Sequence, residues 1–169
     1  MIVVIAIMTI LAGMIIGYTG AVGSRRVNKC TSLMDGAMKK ARVDTMTKSD
    51  TCGVRFYQED GIYYADIVGE EVKDGAVGYK TREKVNLGQA GDITITLCNA
   101  SGTDKEVLAD NDENSYILIK YARGTGAVTA IRTGRDSFDR TDRTQIFIDR
   151  GEKTKCIEIV PETGKHTVI

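Results

Sequence analysis

The sequence predicts an α+β fold in which one long N-terminal α-helix packs on an antiparallel β-sheet or a small β-sandwich. Three observations lead to this prediction. The first 22 residues carry no charge, the segment after them has apolar residues at helical spacing, and the rest of the chain alternates in short segments typical of strands. We therefore divide the chain into a hydrophobic helix (1–24), an amphipathic half of the same helix (25–48) and a β-rich domain (49–169).

The hydrophobic segment is long enough to cross a bilayer. About 20 apolar residues at 1.5 Å each match a hydrocarbon core of roughly 30 Å. A secretory signal peptide is the alternative, but it begins with basic residues, whereas Arg25 and Arg26 are the first basic residues here. The segment thus predicts a transmembrane helix, and its apolar surface comprises Ile2, Val3, Val4, Ile5, Ile7, Ile10, Leu11, Ile15 and Ile16.

Glycines interrupt this segment at spacings of three to four residues, at Gly13, Gly17, Gly20 and Gly23. Each glycine costs about 1 kcal/mol of helix propensity relative to alanine, so the stretch is expected to bend or unwind locally. Close packing of neighbouring helices through Gly13 and Gly17 is an alternative explanation. The two interpretations are compatible.

The segment 25–48 has an apolar stripe at Val27, Cys30, Met34, Ala37 and Ala41, with charged residues largely between them. Spacings of three and four place these side chains on one face of a helix. We expect this face to cover the β-rich domain.

The apolar period changes from 3.6 towards 2 after Lys48. The segments 54–58 and 62–68 predict a hairpin whose turn contains Asp60 and Gly61. Further strands are expected near 93–98, 116–121, 126–131, 145–148, 156–160 and 166–169. The glycine-containing region 72–91 is expected to be a looser connection or an edge. Six to nine short strands without a second amphipathic helix favour one sheet or a small sandwich.

The N-terminal sequence MIVVIAIMTILAG, followed by an uninterrupted amphipathic helix and a β-rich domain, resembles the type IV pilins and the pseudopilins of type II secretion and competence systems. The terminal hairpin around Glu162 to Lys165 resembles that of GspH-like or FimT-like minor pseudopilins. Family members usually begin with a methylated Phe, then Thr-Leu-Ile/Val-Glu, which are absent here. We interpret this as a truncated start. The usual helix proline is also absent, and the four glycines are expected to take its role.

The resemblance implies a structural subunit of a type IV pilus or pilus-like filament. Its hydrophobic helix would leave the cytoplasmic membrane and pack in the core of a helical homopolymer, with the β domain outside, at the cell surface. Implied partners are a prepilin peptidase, which also methylates the start, a platform protein and an assembly ATPase. Two alternatives stay open, namely a minor or tip subunit of a secretion or DNA-uptake system, and a membrane-anchored binding domain that does not polymerise.

The four cysteines, Cys30, Cys52, Cys98 and Cys156, are widely spaced. Without a C-x-x-C pair, and with His166 as the single histidine, this spacing argues against zinc. In an exported domain it predicts up to two disulfides, with three connectivities that the sequence does not separate.

No sequence motif indicates catalysis or a cofactor. His166 lies in a strand pattern and is expected to be an exposed strand residue rather than a general base. The acidic segment 110–114 offers oxygen ligands at alternate positions but lacks the glycine and the bidentate glutamate of an EF-hand. We interpret it as a solvated loop, and predict a protein that is not an enzyme and has no metal site.

Arginines alternate with aspartates near the C-terminus, at Arg132, Arg135, Arg140 and Arg143. Thr133, Gly134 and Arg135 resemble part of the arginine motif of DNA-capturing minor pilins, but Ser137 stands where that motif has a second arginine. The formal net charge of zero weakens a DNA-binding interpretation. Salt bridges between subunits are the favoured use of these arginines, although each exposed pair contributes under about 1 kcal/mol.

Overall fold

The computed structural model describes residues 2–73, 76–91, 93–135 and 141–169, and within the helix it describes side chains from residue 24 onward. Within these residues, one helix precedes ten strands. The elements are α1 (Ile2–Thr47), β1 (Gly53–Glu59), β2 (Ile62–Lys73), β3 (Ala76–Gln89), β4 (Thr94–Cys98), β5 (Lys105–Val107), β6 (Tyr116–Tyr121), β7 (Val128–Thr133), β8 (Gln145–Arg150), β9 (Lys153–Val160) and β10 (Lys165–Val168).

The fold is mainly β, so the predicted α+β class with a long helix packed on a sheet is wrong. Strands account for 51% of the structure, and the helix joins the packed domain as a short stretch, 24–47. The prediction gave too little weight to the strands in 72–91. There β2 continues to Lys73, and β3 pairs with β2 along the whole length of β2. The register between the two strands shifts at two points.

The strands form two antiparallel sheets. Sheet A has the order β3-β2-β1-β6-β7, and sheet B has the order β10-β9-β8-β4-β5. The predicted hairpin is confirmed, since β1 pairs with β2 up to the partners Glu59 and Ile62. Its two turn residues, Asp60 and Gly61, have φ angles of 51° and 69°, as a two-residue turn with left-handed backbone requires.

The core lies where helix 24–47 meets both sheets. The predicted apolar stripe is confirmed, because Val27, Cys30, Met34, Ala37 and Ala41 are all buried. The helix contacts β1, β2 and β3 of sheet A and β8, β9 and β10 of sheet B. Both sheets turn branched and aromatic side chains towards it, including Phe56, Ile67, Ile119, Ile146, Ile157 and Ile159.

The predicted transmembrane helix is not supported. In the part of the helix whose side chains the structure describes, from residue 24 onward, no stretch is long and apolar enough to cross a membrane. The side chains proposed for the hydrophobic helix fall outside the described set, and so do the four glycines expected to loosen it. These are Ile2, Val3, Val4, Ile5, Ile7, Ile10, Leu11, Ile15, Ile16, Gly13, Gly17, Gly20 and Gly23.

The predicted disulfides are absent, since all four cysteines are free thiols. Cys30 points into the core from the helix, and Cys52 precedes β1. Cys98 on β4 and Cys156 on β9 are separated by β8. Strands two positions apart lie about 10 Å from each other, beyond the roughly 7 Å between Cα atoms that a disulfide tolerates.

Candidate functional site

A cavity of about 530 Å³ opens on the face of sheet A that is turned away from the core. The ends of β1 and β6 form its floor, and the loop 110–115 forms its wall. Its lining combines two aromatic rings with side chains that donate and accept hydrogen bonds: Arg55, Tyr57, Gln58, Glu59, Asn111, Asp112, Glu113, Ser115 and Tyr116.

Three tyrosines stand in one row across the strands of this face. Tyr57 on β1 is the register partner of Tyr64 on β2 and of Tyr116 on β6. The rings of Tyr57 and Tyr64 stack with centroids 5.7 Å apart. Lys84 Nζ lies 3.8 Å from the centroid of Tyr64 and 5.3 Å from that of Tyr57. Stacking and the Lys84 ammonium therefore fix the positions of Tyr64 and Tyr57. Tyr116, at the other end of the row, is half-buried and lines the cavity.

A buried carboxylate lies beside this row, on the same face of the sheet. Asp66 is 2% exposed and accepts hydrogen bonds from Arg55 Nη2 at 3.0 Å and Thr81 Oγ1 at 2.8 Å. The Tyr57 hydroxyl also donates to it, at 3.4 Å. Burial raises the pKa of the Tyr57 phenol. The hydroxyl therefore remains a neutral donor at physiological pH.

The wall loop is held to the β1–β2 turn by hydrogen bonds. The Asp60 amide donates to Asn111 Oδ1 at 3.1 Å, and the Gly61 amide donates to Asp110 Oδ1 at 3.1 Å. Asn111 itself adopts a left-handed backbone, with φ of 52°. The loop is thus fixed by contacts at both its backbone and its side chains.

The acidic side chains of the same loop act as internal acceptors. Asp112 accepts from the Asn114 amide at 2.9 Å and from Arg135 Nη2 at 3.0 Å. The Asn114 amide first and Arg135 second lower the pKa of the Asp112 carboxyl. In the described ranges, no group of three or more histidine, cysteine, aspartate or glutamate side chains is placed to hold a metal ion. The segment considered as a calcium loop instead shapes the cavity.

The charge around the cavity mouth is slightly acidic. Glu59 pairs with Lys84 at 2.9 Å, and Asp112 pairs with Arg135. Glu113 is exposed and makes no ion pair within the described part of the chain. Arg55 is engaged by Asp66, and its Nε is buried without a hydrogen-bond partner among the described residues.

The four candidate arginines are not brought together into one surface. Arg143 is 6% exposed and donates to Asp104 at 3.0 Å and to Glu106 at 3.2 Å, so it lies inside the domain. Arg135 is 58% exposed beside the cavity, and Arg132 is half-buried on β7. Arg140 lies outside the described residues.

His166, expected to be an exposed strand residue, has a side chain that is 2% exposed. It lies on β10 with its ring against α1. The strand pattern was correct, but the sequence did not reveal that the helix covers this face of the strand.

The side of the helix that is turned away from both sheets is exposed. Arg25, Arg26, Lys29 and Lys39 lie on it, together with Val43, which is 50% exposed. A Cβ added at Gly36 on this side would meet no atom within 4 Å. This side is therefore open for contact with another molecule.

Sequence reasoning missed the tyrosines of the cavity. The available signal was the alternation within the predicted hairpin, which turns Arg55 and Tyr57 outward while Val54 and Phe56 turn inward. The alignment of Tyr57 with Tyr116 depends on the pairing of β1 with β6, which no local pattern specifies.

No family model, curated protein or solved structure matches this chain.

Proposed function

We propose that this chain is a structural subunit of a type IV pilus or pilus-like filament, which polymerises through its N-terminal hydrophobic segment and carries the β domain outside. One observation supports this most directly. An uncharged segment, residues 1–22, leads without interruption into helix 24–47, whose apolar stripe is fastened to both sheets. The β domain would therefore follow the N-terminal segment as a rigid unit.

Assembly would gain its free energy from apolar burial. Residues 1–22 are too apolar to lie in water, and gathering these segments from many subunits removes their surface from water at about 25 cal/mol per Å². Because the same gain is repeated at each added subunit, the polymer would be stable without covalent links.

The exposed side of helix 24–47 would supply a second contact between subunits. At Gly36 a neighbouring helix could approach closely, since no side chain intervenes. Val43 lies two turns further along the same side and is 50% exposed. We propose that both residues face the adjacent subunit in the filament.

The proposal includes the partners that the family resemblance implies: a prepilin peptidase, a platform protein and an assembly ATPase. It places the assembled filament at the cell surface. No catalytic role is proposed for the chain.

A matched pair of substitutions tests the proposal in cells that produce the full chain. Val43→Asp places a charge on the exposed helix side, and Val107→Asp places the same charge at a residue of matching exposure on β5, 48% against 50%. Negative-stain and cryo-electron microscopy of sheared filaments would measure assembly. We expect abundant filaments from the parent and Val107→Asp, and few or none from Val43→Asp. Absence of this chain from all filaments would refute the proposal.

A second candidate function is that of a minor or tip subunit that recognises something outside the cell. The tyrosine-lined cavity on the outer face of sheet A favours it. The copy number of the chain in purified filaments, measured by quantitative mass spectrometry, separates the two: a major subunit dominates the filament mass, whereas a tip subunit is present in trace amounts.

A further inference from the structure

We propose that the cavity between β1, β6 and loop 110–115 binds an uncharged oligosaccharide. The proposal goes beyond filament assembly and does not depend on it. It is supported by the size of the cavity, its aromatic rings, its unused hydrogen-bonding groups and the sign of its charge.

The size suits one or two sugar rings. A volume of about 530 Å³ lies within the range of roughly 300 to 1,000 Å³ that is usual for small-molecule sites. The cavity opens on the face of a sheet and not inside the core, so the end or a branch of a longer glycan can enter while the remainder stays in solvent.

The aromatic rings suit the apolar face of a sugar. A hexose ring presents C–H groups on its faces and hydroxyls around its edge. A tyrosine ring packs against the C–H groups, while its hydroxyl stays polar. Tyr57 is braced by Arg55, whose Cζ lies 5.1 Å from the ring centroid, and by Tyr64. Tyr116 has no stacking or cationic partner within the described residues, so its ring is available to a ligand.

Two amide side chains in the lining have a donor with no partner among the described residues. The Gln58 side-chain amide and Asn111 Nδ2 make no hydrogen bond there, and both are accessible from the cavity. A planar amide can bridge two adjacent hydroxyls of a sugar, because its donor and acceptor lie side by side.

The charge of the lining selects against acidic sugars. Three carboxylates, those of Glu59, Asp112 and Glu113, surround the mouth, whereas the guanidinium of Arg55 is already paired with Asp66. A sialic or uronic acid would bring a further negative charge towards Glu113, which has no counter-ion within the described part of the chain. Neutral sugars avoid this repulsion.

The cavity is formed before any ligand arrives. Loop 110–115 is tied to the β1–β2 turn through Asp110 and Asn111, and its own fold is closed by the hydrogen bond from the Ser115 amide to the Asp112 carbonyl at 2.8 Å. Binding would therefore order few additional groups. A preformed site retains more of its interaction energy as affinity.

Glycan-array binding of the labelled full-length chain tests the proposal, with chitin, maltose and galactose oligomers as uncharged probes and sialylated glycans as acidic probes. We expect binding to uncharged probes only. Isothermal titration with the best probe should then show that Tyr116→Ala weakens binding about tenfold or more. The matched control is Tyr79→Ala, which removes a half-buried tyrosine from β3 outside the cavity and should leave the affinity within about twofold.

Glu113→Lys provides a second, exposed substitution that should not affect folding. We expect it to admit sialylated probes that the parent rejects, because it reverses the unpaired charge at the mouth. No binding to any uncharged probe, or equal binding by the parent and Tyr116→Ala, would overturn the proposal, as would binding by the parent confined to acidic glycans. Since the readout does not require filaments, failure here would leave the assembly proposal unaffected, and failure of assembly would leave this one intact.

Discussion

His166 Nε2 lies 3.0 Å from Asp35 Oδ1 and joins the last strand to the helix across 131 residues of sequence. The same ring nitrogen is 3.3 Å from the Asp35 carbonyl oxygen. Asp35 also accepts from Lys39 Nζ at 2.8 Å. The histidine is 2% exposed in its side chain, whereas the lysine is 65% exposed, so two contacts to one carboxylate lie in very different surroundings.

We expect His166→Ala to lower the free energy of unfolding by about 2 to 3 kcal/mol, because it removes a buried hydrogen bond and leaves a gap beside the helix. Lys39→Ala is the control and should cost under about 1 kcal/mol, as exposed pairs do. Urea unfolding followed by circular dichroism measures both. Equal losses in the two variants would contradict a buried role for His166.

Arg143 gives a second comparison, since it is a buried arginine paired with carboxylates. Arg143→Met removes the cation that contacts both Asp104 and Glu106, and we expect a loss of about 3 kcal/mol, at the low end for a broken buried pair because Asp104 is partly exposed. Arg135→Met removes a pair to Asp112 in which the arginine is 58% exposed. That change should cost less than about 1 kcal/mol. A similar cost in both variants, again from urea unfolding, would show that the Arg143 pairs are no stronger than surface pairs.

Alanine substitutions at two glycines with similar φ angles distinguish the cost of a left-handed backbone from the cost of a steric overlap. Gly164 and Gly151 have φ of 66° and 57°. A Cβ at Gly164 would overlap the carbonyl oxygen of Gly126, whereas a Cβ at Gly151 would meet no atom within 4 Å. We expect Gly151→Ala to cost about 1 to 2 kcal/mol from the left-handed backbone alone. Gly164→Ala should cost clearly more, or prevent folding, and thermal unfolding of the two proteins would show the order.

The stability of the domain should fall at alkaline pH. Burial raises the pKa of the Cys30 thiol to about 12 and that of the Tyr63 phenol to about 12. Both groups stay neutral in the folded state after their unfolded counterparts ionise, at pH of roughly 9 for a thiol and 10 for a phenol. Their contribution is therefore complete below about pH 9 and is lost as the pH rises from there towards 12.

Melting temperatures recorded from pH 8 to 11 test this dependence. We expect a flat region followed by a decline, and a shallower decline in Cys30→Ala, in which the slope due to Tyr63 remains. Cys30→Ala also shortens a buried side chain, so the comparison concerns the slope with pH and not the absolute melting temperature. If the melting temperature of Cys30→Ala fell with pH as steeply as that of the parent, ionisation of Cys30 would not contribute to the alkaline loss of stability.

Local patterns were sufficient for the helix stripe and for the first hairpin. Met34 and Ala41 fall at helical spacing, and Asp60 with Gly61 specifies a tight turn by backbone chemistry alone. The glycines of 72–91 predicted a looser connection or an edge, and β3 is an edge strand of sheet A. It carries the exposed charged residues Lys80, Arg82, Glu83 and Lys84. Charged side chains are common on edge strands, where they prevent pairing with another chain.

The cavity could not be predicted, because its parts meet through strand pairing between distant segments. Tyr57 and Tyr116 become neighbours only when β1 pairs with β6.

The burial of Arg143 could not be predicted for a related reason. Alternating Arg and Asp near the C-terminus suggests a surface, but the partners Asp104 and Glu106 come from another part of the chain and draw this arginine inward.

The position of helix 24–47 between the two sheets also fixes an order of events in time. Sheet A can form from β1, β2 and β3 together with β6 and β7, but the helix face that meets β8, β9 and β10 stays uncovered until those three strands have been synthesised. A nascent chain halted before β8 would expose this apolar face, which is the kind of surface that chaperones bind and proteases attack. We therefore expect the core to close only after β10 has left the ribosome, because only then do both sheets cover helix 24–47.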